Sequence, residues 1–235
     1  MKYQYSKLEE KIGITFRNKS LLENVFIHRS YLNEHRDLKL TSNERLEFLG
    51  DSVLSLITSV YLFKNYPYLK EGEYTDIKGT IVCAESLLSV AKKLDLGKYL
   101  FLSKGEEKNG GRENKNILAD CFEALIGAIF LEKDFETAYQ FVVKFLFSGK
   151  LDFVIKNHLY LPAKTKLQEW FQEKYKTLPE YKVIEEKGPA HKKIFKVGVY
   201  FANKLLGMGT GFSKKEAEEK AAKIAVEKLK KEVKI

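Results

Sequence analysis

Between Leu8 and about Phe147, apolar residues recur at intervals of three and four, the period of an amphipathic helix. The pattern predicts helices over 21–29, 44–64, 83–94, 117–131 and 137–147. Polar stretches at 33–41, 66–73 and 105–116 separate them as loops, the last marked by Asn109-Gly110-Gly111. Residues 148–162 lose clear periodicity and include Gly149 and Pro162, so they read as a linker. Leu151, Phe153, Val154, Ile155, Leu159 and Leu161 keep this stretch apolar enough for part of it to be ordered. The period then changes. Residues 163–175 are helical, 181–186 form a strand, and 193–201 alternate with Phe195, Val197, Val199 and Phe201 on one face. Residues 204–211 form a weaker strand after a hairpin turn at Ala202-Asn203. The last helix opens on Ser213-Lys214-Lys215-Glu216, a capping box, and its apolar face carries Ala217, Ala221, Ile224, Ala225 and Leu229. The expected organisation is an all-α domain over 1–150, a linker over 151–161 and a small α+β domain, α-β-β-β-α, over 162–235.

Composition limits what such a chain can be. Across 235 residues, 44% hydrophobic and 13% aromatic side chains supply enough apolar surface to exclude a disordered chain. Cys83 and Cys121 are too few for a disulfide framework, which points to a reducing, cytoplasmic setting. The first ten residues lack an apolar signal core, and no uninterrupted apolar run approaches the ~18 residues of a membrane span. The net charge of +9 suggests a polyanionic partner, and its distribution sharpens the suggestion. Residues 1–159 sum to +1 and residues 160–235 to +8. That is the asymmetry of a polyanion-binding module attached to a balanced body, although lysine runs also occur as plain solvated faces.

Two predicted helices carry the candidate chemistry. Glu44, Glu47 and Asp51 are spaced i, i+3, i+7 and share one narrow face, which by spacing alone also suits a solvated stripe continued by Ser55 and Thr58. The helix over 117–131 is more telling, because Asp120 and Glu123 are its only residues that are neither apolar nor glycine. A helix apolar all round is normally buried, so both acids enter the interior. A buried carboxylate must be paired, protonated or bound to metal, and no Lys or Arg lies within this helix. The economical solution is a divalent cation shared with Glu44, Glu47 or Asp51, and oxygen ligation favours Mg²⁺ or Mn²⁺ over zinc. A di-iron bundle would need Glu-x-x-His pairs, and none precedes His28, His35, His158 or His191. No Gly-rich phosphate loop or Ser/His/Asp arrangement is present. Acids that hold Mg²⁺, joined to a basic module, imply a nuclease.

The stretch Asn43-Glu-Arg-Leu-Glu-Phe-Leu-Gly-Asp51 resembles the nine-residue signature of the ribonuclease III family. The resemblance extends to His28-Arg29-Ser30, Glu71-Gly72-Glu73 and Ala119-Asp-Cys-Phe-Glu-Ala-Leu-Ile-Gly127. It covers nearly the whole chain, and the order of its two domains is that of the bacterial enzymes. What the resemblance implies is an endoribonuclease that hydrolyses double-stranded RNA to 5′-phosphate and 3′-hydroxyl ends with two-nucleotide 3′ overhangs, in processing of rRNA precursors and other structured transcripts. By position it makes Glu47, Asp51, Asp120 and Glu123 the metal-binding core, with Asp51 and Glu123 the acids on which hydrolysis depends most. Glu44 and Glu71 become accessory acids of the same valley. The family's homodimers meet at their signature helices, and Phe48 matches the aromatic residue that enters a cavity on the partner. Without the family, Phe48 would read as an ordinary core residue.

In the C-terminal domain the resemblance places Thr165, Gln168 and Glu169 at a minor groove and His191, in Gly188-Pro189-Ala190-His191, at the next. Lys214, Lys215 and Lys220 match the phosphate-contacting face of the last helix. A phosphate at that helix N-terminus would meet free N–H groups as well as the lysines. Two positions depart from the common pattern: Glu218 stands where many such domains have a third lysine, and Tyr74 where an aliphatic residue is commoner. The alternative from another class is a non-catalytic double-stranded-RNA-binding protein that keeps the first domain as a dimerisation body. A hydrolase of small phosphate esters would leave the +8 domain unexplained.

Overall fold

The computed structural model describes residues 5–189 and 192–233. The chain divides into two compact units, Met1–Tyr160 and Leu161–Ile235. The first is helical: α1 (Ser6–Ile12), α2 (Lys19–Asn24), α3 (Arg29–Glu34), α4 (Glu44–Asn65), α5 (Glu71–Ile81), α6 (Ala84–Lys93), α7 (Lys104–Lys108), α8 (Lys115–Glu132), α9 (Phe135–Val142) and α10 (Lys150–Lys156). A π-helical stretch, Val143–Phe147, continues α9, so the helix expected over 137–147 is present with a wider final turn.

Three segments differ from the periodicity. The helix expected over 21–29 breaks into α2 and α3, because tertiary partners claim the backbone between them. Ile27 forms a parallel bridge with Phe101 and its carbonyl accepts from Asn43 N–H, while His28 caps α3. α5 begins inside the polar stretch read as a loop and is marked by only two buried apolar residues, Ile77 and Ile81; the Glu73 carboxylate, accepting from Lys70 N–H, starts it. The segment 151–161 holds a helix where a linker is expected. Leu151, Val154 and Ile155 of α10 are buried in the first unit, Asp152 accepts from the Tyr66 hydroxyl, and Tyr160 donates to Glu73.

α8 is the core. From Ile117 to Ile129 its side chains are buried except Asp120 and Glu123, which are half-buried. α4 lies across it, with Leu46, Val53, Leu54, Ile57 and Leu62 turned inward. By length and mean hydropathy (1.4) α4 could span a bilayer, but here one face packs in this core and its first turns carry three acids. The helices touch backbone to backbone at Gly50 and Gly127. A Cβ on Gly50 would strike the Glu123 carbonyl and sit 3.0 Å from Gly127 N, and one on Gly127 would strike the Leu46 carbonyl.

In the second unit α11 (Ala163–Tyr175) and α12 (Lys214–Val233) pack on one face of an antiparallel sheet in the order β1 (Glu180–Lys187), β2 (Ile194–Phe201), β3 (Lys204–Gly211). Ala202 and Asn203 take positive φ values of 47° and 64°, which sets the right-handed twist of the β2–β3 hairpin. Leu167, Phe171, Val199, Ala221, Ala222 and Ala225 form the core. Alternate glycines on β3, Gly207 and Gly209, admit the α12 backbone at Ala217, Ala221 and Ala225, where any side chain would clash. The capping box forms with one change: Ser213 accepts from Glu216 N–H at 3.1 Å, while Glu216 reaches back to Phe212 N–H rather than that of Ser213.

The α4–α8 contact yields a prediction. Gly50→Ala forces a methyl group into backbone, which no side-chain rearrangement can relieve, and should cost about 3 kcal/mol or more. Urea denaturation should show a lower midpoint at unchanged slope; a variant as stable as the parent would mean that the helices do not cross at this distance.

Candidate active site and RNA-binding surface

The glycine contact determines where the acids meet. Gly50 lies between Glu47 and Asp51 on α4, and Gly127 lies one turn beyond Glu123 on α8, so the crossing that removes two side chains brings the neighbouring ones together. Carboxylate oxygens of Glu47, Asp120 and Glu123 all lie within 4.8 Å of one another. Asp51 is exposed beside them, and its charge acts on both Glu123 and Glu47. Glu44 is held by the Ser42 hydroxyl at 2.6 Å and by Arg29 at 3.8 Å.

A polar cleft of about 410 Å³ opens at this point, lined by His28, Arg29, Glu44, Glu47, Glu106 and Asp120 among others. His28 turns Nδ1 toward Ser30, accepting from its N–H at 3.3 Å and lying 2.8 Å from its hydroxyl. Ser30 is in turn fixed by Ser103 N–H at 3.1 Å.

Electrostatics in the cluster oppose ionisation. Burial pushes the Glu123 carboxyl up to about 7, with Asp51, Asp120 and Glu47 adding to the effect. Glu47 is raised by desolvation and then by Asp120 and Glu44. Asp120 is raised by desolvation, which His28 and Arg29 partly offset. Three half-buried carboxylates with converging oxygens and suppressed ionisation fit a hard divalent cation, whose charge would reverse each of these shifts.

On the second unit, Lys214 stands at the start of α12 with its ammonium 5.7 Å from the Phe195 ring centre and 3.6 Å from Glu186. Lys193 approaches the same ring, at 5.6 Å, and the same carboxylate, at 2.6 Å. Lys215 is exposed, and Lys220 pairs one turn back with Glu216 at 2.7 Å. On α11, Gln168 and Glu169 line a shallow cleft with Gln172, Glu173, Lys176 and Leu178, and Thr165 lies half-exposed one turn earlier.

Comparison with known proteins accounts for both units. Residues 18–150 match the family described as Ribonuclease-III-like, and residues 163–229 match the double-stranded RNA binding motif. The chain belongs to the ribonuclease III family. It is 46% identical to Ribonuclease 3 of Oceanobacillus iheyensis, over 94% of this chain and 96% of that one. It is 44% identical to Ribonuclease 3 of Bacillus licheniformis, over 97% and 91%. A solved structure of the nuclease domain of ribonuclease III from Campylobacter jejuni, described for structural flexibility in a region involved in dimer formation, aligns with a TM-score of 0.57 at 38% identity. It covers 61% of this chain and 96% of that one.

Of the acids that the ribonuclease III signature designates, the fold brings Glu47, Asp120 and Glu123 together, with Asp51 and Glu44 at the margin. Glu71 is elsewhere. It heads α5 and lines a cleft of about 640 Å³ with Ser59, Leu62, Phe63, Tyr74 and Lys78, at the opposite end of α4, so within one chain it is not part of the valley. Phe48 is 78% exposed, so the alternative of an ordinary core residue does not apply to it. His191 lies outside the described residues. Sequence reasoning passed over Glu106, His28 and Arg29 as cleft residues, and Lys193 beside Lys214. The only signal for any of them was the adjacency of His28 and Arg29 to Ser30 in the family motif; Glu106 fell within a stretch read as a loop.

The raised carboxyls give the metal-free protein an unusual pH dependence. The folded chain keeps a proton on Glu123 until about pH 7, whereas an unfolded glutamate releases it near 4.5, so folding binds protons in this interval and stability falls as pH rises through it. Added Mg²⁺ should restore the loss above about pH 7 and do little below pH 5. Thermal denaturation across that range, in chelator and in Mg²⁺, measures both; curves that coincide at high pH would rule out a cation at these acids.

Proposed function

We infer that the protein is a metal-dependent endoribonuclease of double-stranded RNA, and the observation that carries the reading is the convergence of Glu47, Asp120 and Glu123 oxygens within 4.8 Å on a chain that also holds a double-stranded RNA binding motif. Mg²⁺ is the assigned ion, with Mn²⁺ able to substitute, because all three converging donors are carboxylate oxygens. When bound, it supplies an activated water and a counter-charge for the phosphodiester. Glu47, Asp120 and Glu123 would hold it, with Asp51 as a fourth ligand on the exposed side. Arg29, already paired with Glu44, offers a cation at the cleft mouth for a neighbouring phosphate. Attack of water at phosphorus and breakage of the bond to O3′ leaves a 5′-phosphate and a 3′-hydroxyl. All the acids on which hydrolysis rests are retained, so nothing favours a purely binding role.

On the second unit, Lys214, Lys215 and Lys220, with Lys193, form the phosphate-binding face. Thr165, Gln168, Glu169 and His191 read the minor groove by shape and 2′-hydroxyl contacts, which gives weak sequence preference. The first unit is assigned to residues 1–160 as catalytic and dimerisation domain, and the cytoplasm is the expected location.

The working form is a homodimer. Phe48, Leu56 and Phe63 make an exposed apolar stripe on the outer face of α4 at 78%, 53% and 73% exposure. A two-fold axis through this face runs the two α4 helices antiparallel, so the start of one meets the end of the other. Phe48 is then directed at the cleft around Ser59 and Phe63 of the second copy, and Glu71 is carried toward the second copy's acids.

Glu123→Gln should cleave long duplex RNA at least about a hundredfold more slowly in Mg²⁺ while binding it as well as the parent. Equal cleavage would refute the site, and failure of both proteins to cleave while both bind would establish the non-catalytic role. Phe48→Ala should raise the dimer dissociation constant by a factor of roughly 100 or more in sedimentation equilibrium, since two buried anchors are lost per dimer. An unchanged association would place the interface elsewhere.

A further inference from the structure

α11 begins without a cap of its own. Its N-terminal flanking residue is Pro162, which makes no side-chain capping bond, so the first N–H groups of the helix require a partner. The partner comes from α12. Glu219 accepts from Ala163 N–H through Oε1 at 2.5 Å and from Lys164 N–H through Oε2 at 3.2 Å, which caps one helix from the side of another. The preceding residue repeats the linkage through side chains, because Glu218 pairs with Lys164 at 2.5 Å. The Lys164 ammonium also lies 4.8 Å from the centre of the half-buried Tyr181 ring. Two adjacent acids therefore fix the first turn of α11 to the second turn of α12.

By charge alone these acids are a liability. They lie in the +8 part of the chain, on the helix that begins with Lys214 and Lys215, and each repels a phosphate backbone. Removing them should tighten RNA binding if charge were their only effect. Their contacts indicate a different role. The groups assigned to RNA sit on both helices, Thr165, Gln168 and Glu169 on α11 and Lys214 and Lys215 on α12. An A-form duplex presents its minor groove and adjacent phosphates at fixed separations, so the two sets must be held at one spacing. We propose that Glu219, assisted by Glu218, is a positioning residue for RNA, holding the α11 groove contacts in register with the α12 phosphate contacts. The inference rests on the RNA-binding face assigned above. It gives Glu218 a reason: at this position a carboxylate joins the helices where a lysine would add one phosphate contact.

The experiment measures affinity of the full chain for a short RNA duplex in chelator, where no cleavage occurs, over a range of salt. The variants are Glu219→Ala, Glu219→Gln, Glu218→Gln and Lys214→Ala. An amide presents one acceptor oxygen where the carboxylate presents two, so Glu219→Gln breaks one of the two bonds and tests the idea even if the alanine variant does not fold. Glu219→Ala should bind about fivefold more weakly, the worth of a lost helix cap, with Glu219→Gln between it and the parent. Glu218→Gln should bind about twofold more weakly. The salt dependence of the Glu219 variants should be shallower by about one phosphate contact, at temperatures where circular dichroism shows the chain fully folded. Combined with Lys214→Ala, the loss should be less than additive, because register matters only while both faces are engaged. Native or tighter binding by both Glu219 variants would overturn the proposal. Unchanged binding by Lys214→Ala would instead overturn the RNA-face assignment on which it stands.

Discussion

α4 and α8 meet with no side chain between them at Gly50 and Gly127, and the active site depends on that contact. Two helices packed through ordinary side chains lie about 8–10 Å apart. Here the backbones come closer, and the acids one turn before each glycine are drawn into a single cluster. Glu47 and Asp51 flank Gly50, and Glu123 lies one turn before Gly127. The same closeness seals the acids from water on the core side, which pushes the Glu123 carboxyl up to about 7. Packing and chemistry are therefore one constraint: the approach that stabilises the core also makes the unmetallated cluster electrostatically unfavourable.

Glycine solves a second close approach in the RNA-binding unit, where Gly207 and Gly209 let β3 lie against the backbone of α12. The effect is to press α12 onto the sheet, with Lys214 at its start beside Phe195 and Lys193. Within this basic unit, acids serve as joints. Glu219 caps α11, Glu216 caps α12 through Phe212 N–H, and Glu186 gathers Lys193 and Lys214. Net charge attracts RNA, while the minority charge decides where the majority is displayed.

Much of the fold was legible because burial imposes period. α4, α6, α8, α11 and the three strands follow from apolar spacing, and the order α-β-β-β-α from the change of period after residue 162. The failures occurred where the deciding interactions are distant in sequence. The backbone at residues 25–28 is claimed by Asn43 and Phe101, which divides one expected helix into two. α5 shows the sequence only two buried residues, and α10 falls in a segment too short to display a period, so its Leu151, Val154 and Ile155 resembled scattered linker residues. In the site, Asp120 and Glu123 could be found because charge in an otherwise apolar helix needs an explanation. Glu106 and Lys193 carried no such contrast with their neighbours.

The sequence by itself determined the inventory: two units of different period, five acids on two helices, an excess of eight positive charges in the last third, and a signature that names the family. Each is a property of spacing or composition, which short-range pattern encodes. Tertiary structure alone decided which of those residues meet. It joined Glu47 to Asp120 and Glu123 across a gap that only glycine permits, left Glu71 at the far end of α4, turned Phe48 outward, and made Glu219 a cap for a helix more than fifty residues away. The reason is physical: a helix period says which face a residue occupies, but the partner of that face is selected by packing over the whole chain.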